Sequence, residues 1–261
     1  MCAPPERGFG RYHPYVPLVR GRLLVPIVDP PPSDGAYDVL LHFHFHDAVR
    51  RAFVEVGHPI ALAGIDLGEG SKAYAEAFAD PRAFVLLRAS IERALRERTG
   101  DERAHVGKLW LSSWSAGFAA SVKILKQAPA AIAGAIFLDS LYAPSEKNDE
   151  GESVPRTVFA PAVAPVVALA KRAVRGDAFV FLSYSNAETH GYASTGDVAH
   201  HLEKKLGLRE ERDDPGDDAR GAIAHVDVGG LHVRGFRGVD GKAHCNHLAL
   251  VRDAIELVRT R

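Results

Sequence analysis

The feature that most constrains the fold is a regular alternation of short apolar runs with longer amphipathic stretches. The apolar runs are nearly continuous, which is typical of strands that are buried on both faces of a sheet. The stretches between them have helical spacing. In residues 84–98, for example, Leu87, Ile91 and Leu95 lie four apart, and Gly100 follows as a stop. This alternation predicts an α/β fold, a mostly parallel sheet with helices on both faces.

The alternation extends over most of the chain. Residues 1–36 are rich in proline, and we expect them to form a lead-in, with one or two edge strands, that packs on the main domain. The segment between Tyr142 and Arg175 interrupts the alternation, and a small cap is possible there. We therefore expect residues 1–261 to form one domain. Strands are predicted at residues 39–45, 60–67, 106–112, 132–138, 178–184 and 231–236, and helices at residues 84–98, 118–127, 197–206 and 248–258.

Composition and charge exclude several classes of partner. Hydrophobic residues make up 46% of the 261 residues and charged residues 25%, the ordinary mixture for a folded protein. The 32 Lys and Arg residues balance 33 Asp and Glu residues, which leaves no basic surface signature for nucleic acid. No apolar run approaches the roughly 18 residues of a membrane helix. We expect no nucleic-acid partner and no membrane span, and the oligomeric state stays open.

The first residues bear on the cellular location. They lack the charged and apolar regions of a signal peptide, which favours a cytoplasmic protein. Cys2 keeps an alternative open, because an exported lipoprotein that had been trimmed to its lipid-bearing cysteine would begin in this way.

The sharpest motif is Ser113-x-Ser115-x-Gly117, which lies between a predicted strand and a predicted helix. A sharp turn at Ser115 would raise its hydroxyl above the sheet, and the flanking positions must be small because they approach neighbouring backbone. The motif resembles the nucleophile elbow of the α/β-hydrolase fold family, of the serine esterase and lipase type, which is usually written G-x-S-x-G. Ser113 stands where glycine is more common. The resemblance covers roughly residues 37–261 and implies an α/β-hydrolase-like fold.

The resemblance also implies an acid and a histidine that follow Ser115 in that order. A serine hydroxyl needs a base to take its proton, and the base needs an acid to orient it. Asp139 follows residues 132–138, at the edge where a parallel sheet places its functional groups. We therefore predict Asp139 as the acid. Glu188, in the loop after residues 178–184, is the alternative.

The base is expected between the last strand and the last helix, where His244 and His247 lie. Asn246 would be a good N-cap for a helix that starts near His247, and it would leave His244 in the preceding loop. In the first helical turn, the helix dipole would disfavour the imidazolium of His247. We predict His244 as the base, with His247 as the alternative.

Three histidines alternate with phenylalanines in residues 42–46. If these residues form a strand, His42, His44 and His46 lie on one face. Histidines spaced in this way at a strand end can bind zinc. A metal-dependent hydrolase built on these three residues is therefore one alternative function.

The resemblance suggests a different role for the same segment. In α/β-hydrolases a loop after an early strand donates a backbone N–H to the oxyanion hole, and the residue after the nucleophile donates the second. The donors here would be Ala116 with Phe45 or His46. His44 matches a histidine of that loop, whereas Phe45 stands where glycine is usual. We expect His44 and Trp114 to contact the substrate.

The implied reaction is hydrolysis of a small-molecule carboxylic ester. Ser115 attacks the carbonyl, His244 takes its proton, Asp139 orients His244, and water cleaves the acyl-enzyme; no cofactor or metal is required. A serine peptidase or amidase on the same fold is an alternative. A non-catalytic binding protein on a hydrolase fold is another, because Ser113 and Phe45 both replace the usual glycine.

Overall fold

The computed structural model describes residues 5–213 and 221–259. The strands in these ranges are β1 (Val16–Pro17), β2 (Arg22–Leu24), β3 (Ala36–Phe43), β4 (Ala61–Ile65), β5 (His105–Trp114), β6 (Gly134–Leu138), β7 (Ala143–Pro144), β8 (Phe179–Ser185), β9 (Tyr192–Ala193), β10 (Glu211–Arg212), β11 (Ala222–Val228) and β12 (Leu231–Phe236). The α-helices are α1 (His46–Val56), α2 (Ser71–Ala77), α3 (Pro81–Thr99), α4 (Phe118–Gln127), α5 (Ala160–Val174), α6 (Thr195–Leu206), α7 (Gly241–Asn246) and α8 (Val251–Arg259). Short 3₁₀ turns occur at Ser115–Gly117, Pro129–Ala131 and His247–Leu250.

Ten of the strands in the described ranges form one sheet, in the order β1-β2-β4-β3-β5-β6-β8-β12-β11-β10. The six central strands, from β4 to β12, are parallel. Antiparallel pairs extend the sheet at both edges. The predicted mostly parallel sheet is therefore confirmed.

Helices cover both faces of the sheet. Every residue of β4, β6 and β8 is buried, which explains why these strands are mostly apolar and do not alternate; β8 has serines only near its carboxyl end, at Ser183 and Ser185. One core layer lies between the sheet and α2–α6, and a second lies between the sheet and α1 with α8. The carboxyl ends of the parallel strands meet at one edge, and the predicted site residues lie at these strand ends or in the segments that follow them.

One of the two segments outside the regular alternation agrees with expectation and the other differs. The lead-in contributes β1 and β2, which form the predicted edge strands. In the segment between Tyr142 and Arg175, α5 packs in the helical layer on the sheet. A two-stranded ribbon of β7 and β9 takes the place that a cap would have.

Within residues 5–213 and 221–259, no helix has the length and apolar character needed to cross a membrane. Cys2, which was the basis for the lipoprotein alternative, lies outside the described residues.

Candidate active site

The serine motif forms a sharp turn at the end of β5. Ser115 has a φ of 47°, in the left-handed region, and α4 begins three residues later. Gly117 is required there, because a Cβ atom at this position would lie 2.2 Å from the carbonyl oxygen of Phe43 on the neighbouring strand β3. The close approach of helix and strand therefore explains the glycine of the motif.

The second serine of the motif connects two loops. Ser113 is fully buried, and its Oγ lies 2.8 Å from the Oγ of Ser140, just after β6. The Ser140 hydroxyl also lies 3.0 Å from the carbonyl oxygen of Ser115. A serine at position 113 can thus replace the usual glycine, since its hydroxyl is satisfied inside the protein.

Asp139 lies at the carboxyl end of β6, with a left-handed φ of 46° and an exposure of 1%. Its Oδ2 accepts a hydrogen bond from Nδ1 of His244 at 2.7 Å. Its Oδ1 accepts from the backbone N–H of Ser185 at 3.0 Å and from the Thr195 hydroxyl. Burial opposes ionisation, but the hydrogen bond from His244 and the nearby imidazole of His247 outweigh it, so the pKa of Asp139 is lowered to about 2. The carboxylate is therefore ionised at neutral pH.

His244 lies within a helix, which corrects the prediction that it lies in a loop. The helix is α7, and it begins at Gly241 because the Asp240 side chain accepts a hydrogen bond from the Ala243 N–H at 2.8 Å. Asn246 has helical dihedral angles and is the last residue of α7, so the predicted N-cap there is wrong. The His244–Asp139 hydrogen bond nevertheless places His244 beside the acid that was predicted for it.

Trp114 holds His244 in place. Its indole stacks on the His244 ring, with the ring centroids 4.5 Å apart, and on the His44 ring, with the centroids 5.3 Å apart. The indole Nε1 donates to the carbonyl oxygen of His244 at 3.0 Å. Trp114 thus lines the cavity and also supports the histidine, and only this second role was not indicated by the sequence.

The two alternative residues occupy other surroundings. Glu188 is exposed and forms an ion pair with Arg156, with 2.9 Å between carboxylate oxygen and guanidinium nitrogen. His247 is buried, and its Nδ1 lies 2.8 Å from the Oγ of Ser183. Burial lowers the pKa of His247 to about 4, so this ring is held neutral inside the protein.

The three histidines of residues 42–46 do not share a strand face, so that prediction is wrong. Strand β3 ends at Phe43, His44 and Phe45 have left-handed φ values of 74° and 58°, and His46 begins α1. His42 supports this turn from below, with Nε2 donating to the His44 carbonyl oxygen at 2.8 Å and Nδ1 2.8 Å from a serine hydroxyl. Burial lowers the pKa of His42 to about 3, so its ring is neutral.

The turn at His44 and Phe45 also distinguishes between Phe45 and His46, the two candidates for the oxyanion donor in this segment. The His46 N–H donates to a carboxylate oxygen of Asp66 at 3.1 Å, and its ring is fully buried against Gly64. The geometry therefore does not support His46 as a donor. Phe45 and Ala116 both line the cavity that contains Ser115.

That cavity has a volume of about 840 Å³ and an apolar, largely aromatic wall. Ser115 and His244 both line it, as do His44 and Trp114, which were predicted to contact substrate. The ribbon of β7 and β9 forms its far side. The remaining lining residues are Phe45, Glu69, Gly70, Ser71, Ala116, Phe118, Tyr142, Ala143, Pro144, Gly191 and Tyr192.

The sequence matches no protein-family model and none of the curated proteins. The structure is similar to ferric enterobactin esterase from Salmonella typhimurium, with a TM-score of 0.55, 10% identity, and coverage of 92% of this chain and 54% of that one. It is also similar to enterochelin esterase from Shigella flexneri, with a TM-score of 0.56, 10% identity, and coverage of 99% and 60%. The chain adopts the α/β-hydrolase fold. It spans between half and two thirds of the length of these two esterases.

Several residues at the site of this α/β-hydrolase fold were not found from the sequence. Thr195, which donates to Asp139, follows the capping residue of α6 and looks like part of a helix start. Tyr192 lies on β9 and Tyr142 immediately precedes β7, and their ring centroids are 5.8 Å apart. Residues so distant along the chain carry no local pattern that would connect them to Ser115.

Proposed function

We propose that this protein is a serine hydrolase that cleaves carboxylic esters. The observation that carries the proposal is the hydrogen bond of 2.7 Å between His244 and the buried, ionised Asp139, beside a cavity that Ser115 also lines. The strained left-handed turn at Ser115 supports the same assignment, since it is the backbone conformation that a nucleophile at a strand-to-helix turn requires.

In the proposed mechanism Asp139 determines which nitrogen of His244 carries the proton. A neutral His244 donates its Nδ1–H to the carboxylate, which leaves Nε2 as the acceptor for the proton of Ser115. Ser115 attacks the ester carbonyl, and the imidazolium that forms faces an ionised carboxylate. His244 then returns the proton to the leaving alcohol. Water attacks the acyl-enzyme by the same route in reverse.

The oxyanion of the tetrahedral intermediate needs two donors. We assign them to the backbone N–H groups of Ala116, which follows the nucleophile, and of Phe45, at the left-handed turn after β3. The Phe45 turn does not need glycine here, because His42 holds the carbonyl of His44 from beneath. The replacement of glycine by Phe45 is therefore compatible with a working oxyanion hole.

The chemistry of the cavity favours a small ester with an apolar or aromatic acyl group. Phe118, Tyr142 and Tyr192 offer ring faces and edges, and the cavity volume accommodates a molecule of this kind. The two similar structures described above are named as esterases, which supports an ester as the substrate.

The test is covalent labelling with a fluorophosphonate, followed by intact mass and peptide mapping. We expect one adduct on Ser115, and Ser115→Ala is expected to lose both the adduct and about three or more orders of magnitude in ester turnover. Ser71→Ala is the matched control, because Ser71 lines the same cavity and has no assigned role. Near-normal turnover of Ser115→Ala, or an adduct that maps to Ser71, would refute the assignment.

A further inference from the structure

A second cluster of polar side chains lies on α6 and the segment that follows it. His200 and Glu203 are one turn apart on the helix, and Glu210 precedes β10. The nearest side-chain nitrogen and oxygen atoms of these three residues all lie within 4.8 Å of one another. His200 Nε2 is 3.5 Å from Oε2 of Glu210. The three side chains thus converge on one point.

One carboxylate oxygen of the buried member of this cluster is unsatisfied among the described residues, although its side chain is hydrogen-bonded to Glu210. Glu203 is 5% exposed, and within residues 5–213 and 221–259 its Oε1 has no hydrogen-bond partner. Burying a carboxylate oxygen without a donor or a cation is costly, and buried polar atoms in native proteins are almost always satisfied. An additional group that interacts with this oxygen is therefore expected.

Tyr184 orients the other two members. Its hydroxyl donates to Oε1 of Glu210, so that Oε2 faces His200. Its ring contacts the His200 ring edge-on, with 5.4 Å between the centroids. A Cβ at Gly235 would lie 2.4 Å from the Tyr184 hydroxyl oxygen, so the glycine on β12 makes room for this arrangement. Supporting contacts of this type are typical of metal ligands.

We propose that His200, Glu203 and Glu210 bind one zinc ion. An imidazole nitrogen with two carboxylate oxygens suits zinc, whereas calcium and magnesium prefer more ligands and oxygen alone. Three protein ligands leave one position for water. His200 is largely exposed, so the ion can enter from solvent.

The ion would connect α6 to the segment before β10. Thr195, at the start of the same helix, donates to the carboxylate of Asp139. Zinc would therefore stabilise the helix that supports the proposed acid, from a site outside the substrate cavity. The proposal does not depend on the esterase assignment, because its readout is metal binding and thermal stability.

The experiment uses untagged protein stripped with EDTA and titrated with zinc chloride by calorimetry. We expect one zinc ion per chain and a raised melting temperature. Glu203→Gln and His200→Gln are expected to weaken binding by more than about a hundredfold, since loss of even an outer-shell partner costs about 10–100-fold. His201→Gln is the matched control, because it removes the neighbouring histidine of the same helix.

Tyr184→Phe provides a milder variant that keeps all three ligands. Its zinc affinity is expected to fall about 10–100-fold, with the melting temperature in EDTA close to that of the wild type. Zinc binding that survives equally in Glu203→Gln and His201→Gln would place the ion elsewhere. If the folded wild type binds no zinc, the site is not a metal site and Glu203 shares a proton with Glu210. Either result would overturn the proposal.

Discussion

Asp139→Asn is expected to reduce ester turnover about 10⁴-fold with little change in KM. The N–H of Ser185 and the hydroxyl of Thr195 both donate to Oδ1, so the asparagine oxygen will face them. The amide NH₂ group then faces His244, which must place its own proton on Nε2. In that tautomer His244 cannot accept the proton of Ser115. The loss comes from the wrong tautomer, with the geometry otherwise kept.

The same substitution has a stability effect that depends on pH. The pKa of Asp139 is about 2 in the folded protein against an ordinary value of 3.8. Because the folded-state pKa is the lower one, the ionised carboxylate stabilises the fold above pH 3.8, and this contribution is lost as the pH falls towards 2. Each unit of difference between the two pKa values corresponds to about 1.4 kcal/mol, so the ionised Asp139 contributes about 2–3 kcal/mol to the free energy of unfolding. Asp139→Asn should lose this amount at neutral pH and progressively less below pH 3.8.

The assay is urea unfolding of wild type and variant across this pH range, beside steady-state kinetics on an aryl ester. Glu188→Gln is the control, since its exposed ion pair with Arg156 contributes at most about 1 kcal/mol. If Glu188→Gln lost activity while Asp139→Asn kept it, the acid would be Glu188. A stability difference for Asp139→Asn that stayed the same at acidic pH would refute the reasoning about charge.

Three further predictions follow from the same geometry. His244→Ala should lower kcat/KM by about three or more orders of magnitude, whereas His247→Ala should mainly destabilise the fold, by about 2–4 kcal/mol. Ester kinetics measure the first effect and urea unfolding the second. If His247→Ala lost more activity than His244→Ala, the base would be His247. Gly117→Ala should lower stability by about 1–3 kcal/mol, because its Cβ would lie 2.2 Å from the Phe43 carbonyl oxygen; a melting temperature equal to that of the wild type would contradict this. Burial lowers the pKa of His42 to about 3 and of His247 to about 4, against 6.5 ordinarily, so each stabilises the fold fully above pH 6.5 and less as the pH falls. The burial of each histidine should therefore lower the free energy of unfolding by about 2 kcal/mol between neutral pH and about pH 5. A free energy of unfolding, measured with urea, that stayed constant over that range would contradict this prediction.

The sheet and its covering helices were predictable because they depend on local periodicity. The helix at residues 118–127 and the strand at residues 231–236 have the boundaries that the sequence indicated. In both, the apolar positions face a core and turn-forming residues lie beyond the ends. The places of Ser115, Asp139 and His244 at one edge of the sheet were predictable for a related reason, since each follows a strand whose end can be recognised.

Other parts of the site depend on contacts that the sequence does not show. Residues 42–46 alternate like a strand, but left-handed angles at His44 and Phe45 end β3 early, and a hydrogen bond from His42 holds that turn. The start of α7 cannot be recognised for a different reason. Asp240 and Asn246 are both suitable capping residues, and the structure uses Asp240. Propensity alone cannot decide between two suitable capping residues.

The stacking of Trp114 on His244 gives the protein an internal optical reporter. The chain contains two tryptophans, and the second, Trp110, is 5% exposed and packs in the same apolar core layer as Trp114, earlier on β5. An imidazolium 4.5 Å from an indole ring quenches its fluorescence more strongly than a neutral imidazole does. Because His44 stacks on the same indole, tryptophan emission reports on both histidine rings and not on His244 alone. Occupation of the cavity that these rings line should therefore change the emission without an added label.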